Sequence, residues 1–495
     1  MDQIKTGEIP EKKAFLCDGA ESRLLVLAFG MGYLFVRFLL GAGAGLAVVL
    51  FMAGVYLTTA AYMRAAGMRP VWSGMTLFWT ALTVLLTVPF VLFDGHNGQM
   101  TALLFFLVCT AAVQLYSMLG CGTHGFTERA YLDWANAVFV TPFSNLGASW
   151  QTLGCRIREG RGKTLLGVLI GAVAGLPVLA MLALLLQSAD GVFETVLTRG
   201  LAWINTQVGT ELGCALGGIP FAMMAFGILY GCRRKTRIAA IREAETGKVR
   251  RIPASAAYGV LVPIVLLYLM YLTSQLAYFF SGFAGLLPEG YTYAEYARRG
   301  FFELCAVCVV NLVMIALIPV LFQLKKGVTS AFCTFFVLFS LVLTGTAASK
   351  MVLYVRMYGL TPLRAQTMWF MLALALAFVC IFVRLYVPRF PLVRTLAVAA
   401  AAMLLVFAYT DADVLSVSYN LHAIEDGRLA PDDPELTFAG FSGEELAQMS
   451  DGIEPYLRKY VNPLADSLLV SRQRDRADYR ESVLYWNLAS QRAKR

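Results

Sequence analysis

Ionisable residues are scarce in the long apolar stretches of this chain, so the few at their edges are the first place to look for chemistry. Glu303 follows the aromatic pair Phe301-Phe302 at the start of an apolar run, with Arg298 and Arg299 five and four residues ahead of it. At i,i+4 spacing, Arg299 and Glu303 share one helix face and can pair there. Lys350, Arg356 and Arg364 form a second set, three cations with no acid between them. Tyr358 and Thr361 add two hydroxyls to it. Charges within an apolar layer are costly unless paired or carried to its surface. These residues therefore read in two ways. They are anchors whose aliphatic stems lie in lipid while the charged heads reach water. Or they form a polar site in which Glu303 faces Lys350, Arg356 or Arg364 and an anionic headgroup or solute binds.

Other chemistries lack their parts. The three histidines, His96, His124 and His422, are far apart in the chain. Cys305 and Cys308 fall on one helix face with no second ligand pair nearby, which reads as packing rather than zinc ligation. No GxSxG elbow, phosphate-binding glycine loop, HExxH pair or dinucleotide fingerprint occurs. No catalytic residue, metal or cofactor is expected, and a binding or transport role is favoured over an enzyme. Arg37 and Glu211 read as interfacial anchors. Asn311, in mid-run, reads as a side chain that hydrogen-bonds between helices, because an orphan amide in lipid is expensive.

The elements that position these residues follow from composition. The chain has 495 residues, 58% hydrophobic and only 15% charged, against about 25% charged in an ordinary soluble domain. Its apolar runs are mostly about 20 residues long, enough to cross a hydrocarbon layer of roughly 30 Å. The expected fold is an all-α, polytopic integral membrane helix bundle with a small helical C-terminal extension. Eleven spans are expected, near 24–40, 46–63, 71–93, 99–119, 164–187, 209–231, 257–281, 301–322, 328–349, 365–383 and 392–410. The organisation expected is a segment 1–23, a bundle 24–410 and a C-terminal region 411–495. The connector 120–163 is expected to hold an interfacial amphipathic helix ending before Pro142.

Charge sets the orientation. Basic residues crowd the connectors at 64–69, 120–163, 232–252, 325–326 and 384–394, which the positive-inside tendency places in the cytoplasm. The net charge of +9 is therefore a topology signal. It is not a nucleic-acid footprint, and no nucleic-acid partner is expected. The N-terminus then lies inside a bacterial cytoplasmic membrane and the C-terminal region outside. That region is acidic, with 10 Lys/Arg against 15 Asp/Glu over 411–495. The 350–364 connector breaks the rule, carrying its cations on the outer side. In the tail, Ser416 or Ser418 is expected to cap a short helix, and Ser442 with Glu445 fits a capping box.

Small residues at four-residue spacing allow helices to approach closely. Gly167, Gly171 and Gly175 form one such series, and Gly213 with Gly217 another.

Two stretches also carry a resemblance. One is Tyr293, Tyr296, Ala297, Arg298, Gly300, Phe301, Phe302, Glu303 and Leu304. The other is Tyr358-Gly359-Leu360-Thr361 with Leu363-Arg364 and Trp369-Phe370, followed later by Tyr419-Asn420. Together they resemble the bacterial inner-membrane proteins that carry the domain-of-unknown-function labels 4153 and 4173, over about residues 200–425. Pro362 departs from the family pattern. The resemblance implies a fold, a location and a shared importance of the two motif regions, and no activity. The leading functional expectation is binding, in envelope maintenance or signalling. Its partners are membrane lipids, or a protein at the C-terminal region or the basic loops. A secondary transporter of a small solute or lipid comes second and a membrane-embedded transferase third.

Overall fold

A computed structural model describes residues 18–40, 45–93, 98–122, 130–158, 191–235, 252–283, 301–430, 437–460 and 462–478. The described chain is helical throughout except for one two-stranded hairpin. Nine described helices are long and apolar enough to cross a membrane, and the apolar part of a tenth, Ala306–Leu321, is shorter. These ten coincide with ten of the expected runs. The remaining run, 164–187, lies outside the described residues. In lipid every backbone N–H and C=O needs a partner within the protein, so apolar runs of this length settle as helices.

Two bundles share the membrane part. The first contains α1 (Gly19–Leu34), α2 (Leu46–Ala65), α3 (Gly74–Thr87), α4 (Pro89–Leu92), α5 (Gly98–Met118), α6 (Ala130–Ala135), α7 (Thr141–Ser144), α8 (Leu146–Arg158) and α9 (Gly191–Arg234). Its core includes Leu24, Phe51, Leu86, Leu103, Leu107 and Phe226. The second contains α10 (Ala254–Phe283), α11 (Phe301–Leu321), α12 (Lys326–Tyr358) and α13 (Pro362–Tyr386). Leu261, Phe336, Val337, Phe339 and Phe378 fill its centre. Helix α14 (Leu392–Tyr409) packs on α13 and also lends Val393, Ala401 and Ala408 to the first core. Beyond it lies a small unit of α15 (Ala412–Glu425), the hairpin β1 (Thr437–Phe438) and β2 (Phe441–Ser442), α16 (Gly443–Ala447), α17 (Glu454–Lys459) and α18 (Pro463–Asp478). This unit has its own core, built on Val417, Phe438, Phe441, Leu446, Ile453 and Leu457.

Several local expectations are revised. The stretch 350–364 is not a loop. Helix α12 runs 33 residues to Tyr358, about 50 Å at 1.5 Å per residue, because nothing before Gly359 breaks it. Lys350 and Arg356 are helical, and the connection to α13 is only Gly359-Leu360-Thr361. Helix α9 likewise starts at Gly191, well ahead of the apolar run.

Pro142 does not end the connector helix. The path passes from α6 through a π turn, Asn136–Val140, into α7, where Pro142 stands in the first turn. The helical path is continuous here, Thr141 N–H donating to Asn136 O, so Pro142 offers no N–H to the turn before it and the π turn marks where the path adjusts. The connector faces the bundle with Asp133, Asn136, Thr141, Asn145, Ser149 and Thr152, and turns Tyr131, Phe139, Phe143 and Trp150 outward. An apolar outer face over a polar inner one suits lipid, the reverse of a helix in water.

In the tail, Asp411 rather than a serine caps α15, its Oδ1 accepting from Asp413 N and Val414 N at 3.0 and 3.2 Å. Ser416 and Ser418 lie inside the helix. The Ser442–Glu445 capping box is present at α16.

Candidate functional site

The short turn between α12 and α13 is where the sequence motifs converge. Gly359 has φ +76°, the left-handed region that a side chain disfavours. A Cβ there would also stand 2.7 Å from Asn420 Oδ1. Asn420, from α15, is buried and spends its whole amide on backbone. Its Oδ1 accepts from Leu360 N at 2.6 Å. Its Nδ2 donates to Leu360 O at 3.0 Å and to Ala439 O at 2.9 Å. Ala439 and Gly440 form the tip of the β hairpin, with φ of 53° and 78°, the two positive values that a tight primed turn demands. Asn420 thus ties the α12–α13 turn to the C-terminal unit.

Arg364 and Thr361 complete the turn. Thr361 caps α13, its Oγ1 accepting from Arg364 N at 3.4 Å. Pro362 takes the first helical position, where its ring is preorganised. Arg364 Nη1 donates to Tyr358 O at 3.0 Å and to Gly359 O, and its guanidinium lies 4.0 Å from the centre of the Tyr354 ring. A cation on the last carbonyls of α12 also opposes that helix's negative end. Arg364 is therefore engaged by the fold. Arg356, Met357, Tyr358 and Leu363 are exposed around it, Leu363 at 72%. Lys350 is half-buried two turns down α12.

Arg298 and Arg299 lie outside the described residues. Position 303 is in the first turn of α11. The antiparallel neighbours Asn311–Ser340 and Cys308–Thr344 put that position level with residues 347–350 of α12. Asn311 is fully buried, accepts from the Tyr268 hydroxyl at 2.8 Å and donates to Ser340 Oγ at 2.9 Å. It joins α10, α11 and α12.

Of the glycines, 167, 171 and 175 lie outside the described residues. A Cβ on Gly213 would meet no described atom, and one on Gly217 only the Val36 side chain at 3.6 Å. The tight crossing is one residue on. A Cβ on Gly218 would overlap the Gly32 backbone, and one on Gly32 the Gly218 carbonyl. Further along α9, Gly227 and Gly231 face α7, where added Cβ atoms would lie 2.6 Å from Pro142 O and 2.5 Å from Asn145 Nδ2. The pattern Gly218-x3-Ala222 facing Ala28-x3-Gly32 was the available signal.

The antiparallel pair α1–α9 is charged at both ends. At one end Arg233 meets Asp18 at 2.7 Å, and Arg234 meets the fully buried Glu21 at 2.7 Å. The Arg233 guanidinium beside Asp18 holds that carboxyl below the usual carboxylate range. At the other, Arg37 Nε lies 3.1 Å from Glu211 Oε1, and the Tyr33 hydroxyl donates to Oε2. Arg37, on a π turn, Phe35–Leu40, that extends α1, and Glu211, on α9, are thus partners of each other. From Asp18 to Arg37 the helical path rises about 28 Å at 1.5 Å per residue, close to the thickness of a hydrocarbon core.

Gln99 makes a second amide clamp. Its Nε2 donates to Phe407 O at 2.8 Å and Thr410 O at 2.6 Å, and its Oε1 accepts from Ala412 N at 3.3 Å. It fastens the α14–α15 joint to the start of α5. Neither the sequence period nor the charge pattern marks it.

No curated protein and no solved structure matches the chain. The family model described as Domain of unknown function (DUF4153) matches residues 46–435. This span takes in the first bundle from α2 onward as well as both motif regions, and the chain belongs to that family.

Proposed function

We propose that this is a binding protein of the bacterial cytoplasmic membrane, not an enzyme, and that it recognises anionic lipid headgroups where α12 meets α13. The observation that carries the reading is the exposed set Arg356, Met357, Tyr358 and Leu363 held around a turn that Arg364 and Asn420 fix. A fixed cation beside an aromatic ring and an apolar side chain suits a phosphate at a membrane surface. In this reading the basic helix ends, with Arg64, Arg233, Arg234, Lys235, Lys325, Lys326 and Arg384, face the cytoplasm. The C-terminal unit lies on the far side. Acting through a protein partner on the same surface is the nearest alternative.

The test is retention of phosphatidylglycerol over phosphatidylcholine by the reconstituted chain. Arg356→Gln should lower that preference and leave the fold intact. Arg364→Gln should instead loosen the turn. Equal preference in wild type and Arg356→Gln would reject the site. Reporter fusions at residues 242 and 430 test the orientation, with opposite sides expected.

A further inference from the structure

An apolar groove of about 380 Å³ opens in the wall of the first bundle, away from the α12–α13 turn. Leu24, Phe51, Ala112 and Leu229 line its depth, all at most 7% exposed. Phe105, Phe139 and Phe143 form its mouth, being 62%, 61% and 54% exposed. The lining runs from Leu24 to Met31 on α1, Phe51 to Thr59 on α2, Phe105 to Leu115 on α5 and Phe221 to Leu229 on α9. Each of these stretches covers roughly 10–15 Å at 1.5 Å per residue. On α1, α2 and α9 the lined stretches begin about 6–9 Å from Asp18, Arg64 and Arg233 and end about 18–20 Å from them, at 1.5 Å per residue. The groove therefore starts just beneath the basic end and reaches a little past the middle of a roughly 30 Å core, and its volume is in the usual range for a ligand site.

Toward the same end stand the exposed cations Arg23, beside Leu24 on α1, Arg64, more than a turn past Thr59 on α2, and Lys235, directly after α9. Glu21 and Asp18 engage Arg233 and Arg234 beside them, so those acids do not offset the exposed three. A single molecule matches both features: an apolar chain about one leaflet long, entered from the side, with a negative group at the basic surface. We infer that the groove holds one acyl chain of an anionic glycerophospholipid from the leaflet at the basic end, with its phosphate among Arg23, Arg64 and Lys235. This site is separate from the headgroup surface proposed above. It stands or falls without it.

The test uses the full chain in mild detergent, with lipids counted by native mass spectrometry. Phosphatidylglycerol, phosphatidylcholine with the same chains, and glycerol 3-phosphate are offered in turn. With Arg356→Gln removing the headgroup surface proposed above, the chain should still keep one phosphatidylglycerol, hold phosphatidylcholine several-fold less and ignore glycerol 3-phosphate. Added to that background, Ala225→Phe and Val55→Trp, which fill the groove from α9 and α2, should each weaken retention roughly tenfold, while Leu266→Ala on the exposed face of α10 does not. Unchanged retention in folded groove variants, or equal retention of the two lipids, overturns the inference. A measurement on wild type alone covers the case in which the variants do not fold. Phosphatidylglycerol with a photoreactive group in its chain should label peptides containing Met31, Met52 or Met224. Labelling confined to other peptides would show the groove empty or covered, and the inference wrong.

Discussion

Helices α1 and α9 of the first bundle cross where neither carries a side chain, at Gly32 and Gly218. Helices α10 and α12 of the second cross through rings. Tyr268 stacks on Phe339 with centroids 4.1 Å apart, and Phe335 and Tyr271 flank the pair. Lipid gives helices no hydrophobic reason to associate, so each bundle must gain its cohesion from contact and polar bonds. The first does so by bringing backbones together and tying both ends with ion pairs. The second interdigitates large side chains and adds one buried amide, Asn311. A backbone contact has no slack, whereas a ring stack can repack.

The sharpest way to break this comparison is to put a side chain at the glycine crossing. Gly218→Leu should cost about 3 kcal/mol, the upper range for overpacking. Phe339→Leu in the second bundle should cost about 1 kcal/mol. Thermal unfolding of the two variants in detergent should rank them in that order, and equal midpoints would remove the distinction. A smaller effect is expected at the seam between bundle and C-terminal unit. Asn420→Ala leaves the Leu360 N–H and two carbonyls short of partners, about 2 kcal/mol. Limited proteolysis should release the C-terminal unit sooner while the bundle melts as before. Asn311→Leu should cost about 1 kcal/mol, typical of a polar contact inside a membrane protein. Tyr268→Phe should cost less, because it removes one of the two bonds. The smallest effect is a pH dependence confined to the first bundle. Arg233 lowers the Asp18 carboxyl from its model-compound value of 3.8. That contribution is present above the unfolded value and is lost as pH falls through the folded one. Between roughly pH 5 and pH 3, wild type should lose more stability than Asp18→Asn, as seen in parallel melts.

The helices were plain in the sequence because apolar run length is a one-dimensional quantity. Asn311 stood out for the same reason, as one amide in an unbroken apolar segment. Contacts between distant segments carried no such mark. Arg37 and Glu211 each looked like solitary anchors, and their pairing across 174 residues follows only from the antiparallel docking of α1 on α9. Four-residue spacing marks Gly213 and Gly217 as readily as Gly218, and only the partner helix selects the face that Gly218 occupies. The run from Lys350 looked like a connector because three cations usually mark a surface. Helix α12 in fact projects beyond the apolar layer, and a charged helix is as good there as a loop. The motif at 358–364 and the pair Tyr419-Asn420 were visible as separate patterns. That Asn420 bonds the Leu360 backbone is a fact of three dimensions.

Asn420 and Gln99 share one habit: both hold main-chain atoms and no side chain. Whatever residue occupies position 360 or 410, its carbonyl stands in the same place, so the seam is indifferent to side-chain identity there. Position 360 has one forbidden occupant, proline, which lacks the N–H that Asn420 Oδ1 receives. Leu360 can drift among apolar types while the C-terminal unit stays seated, and the chain's freedom to vary is spent at 360, leaving 359 and 420 with almost none.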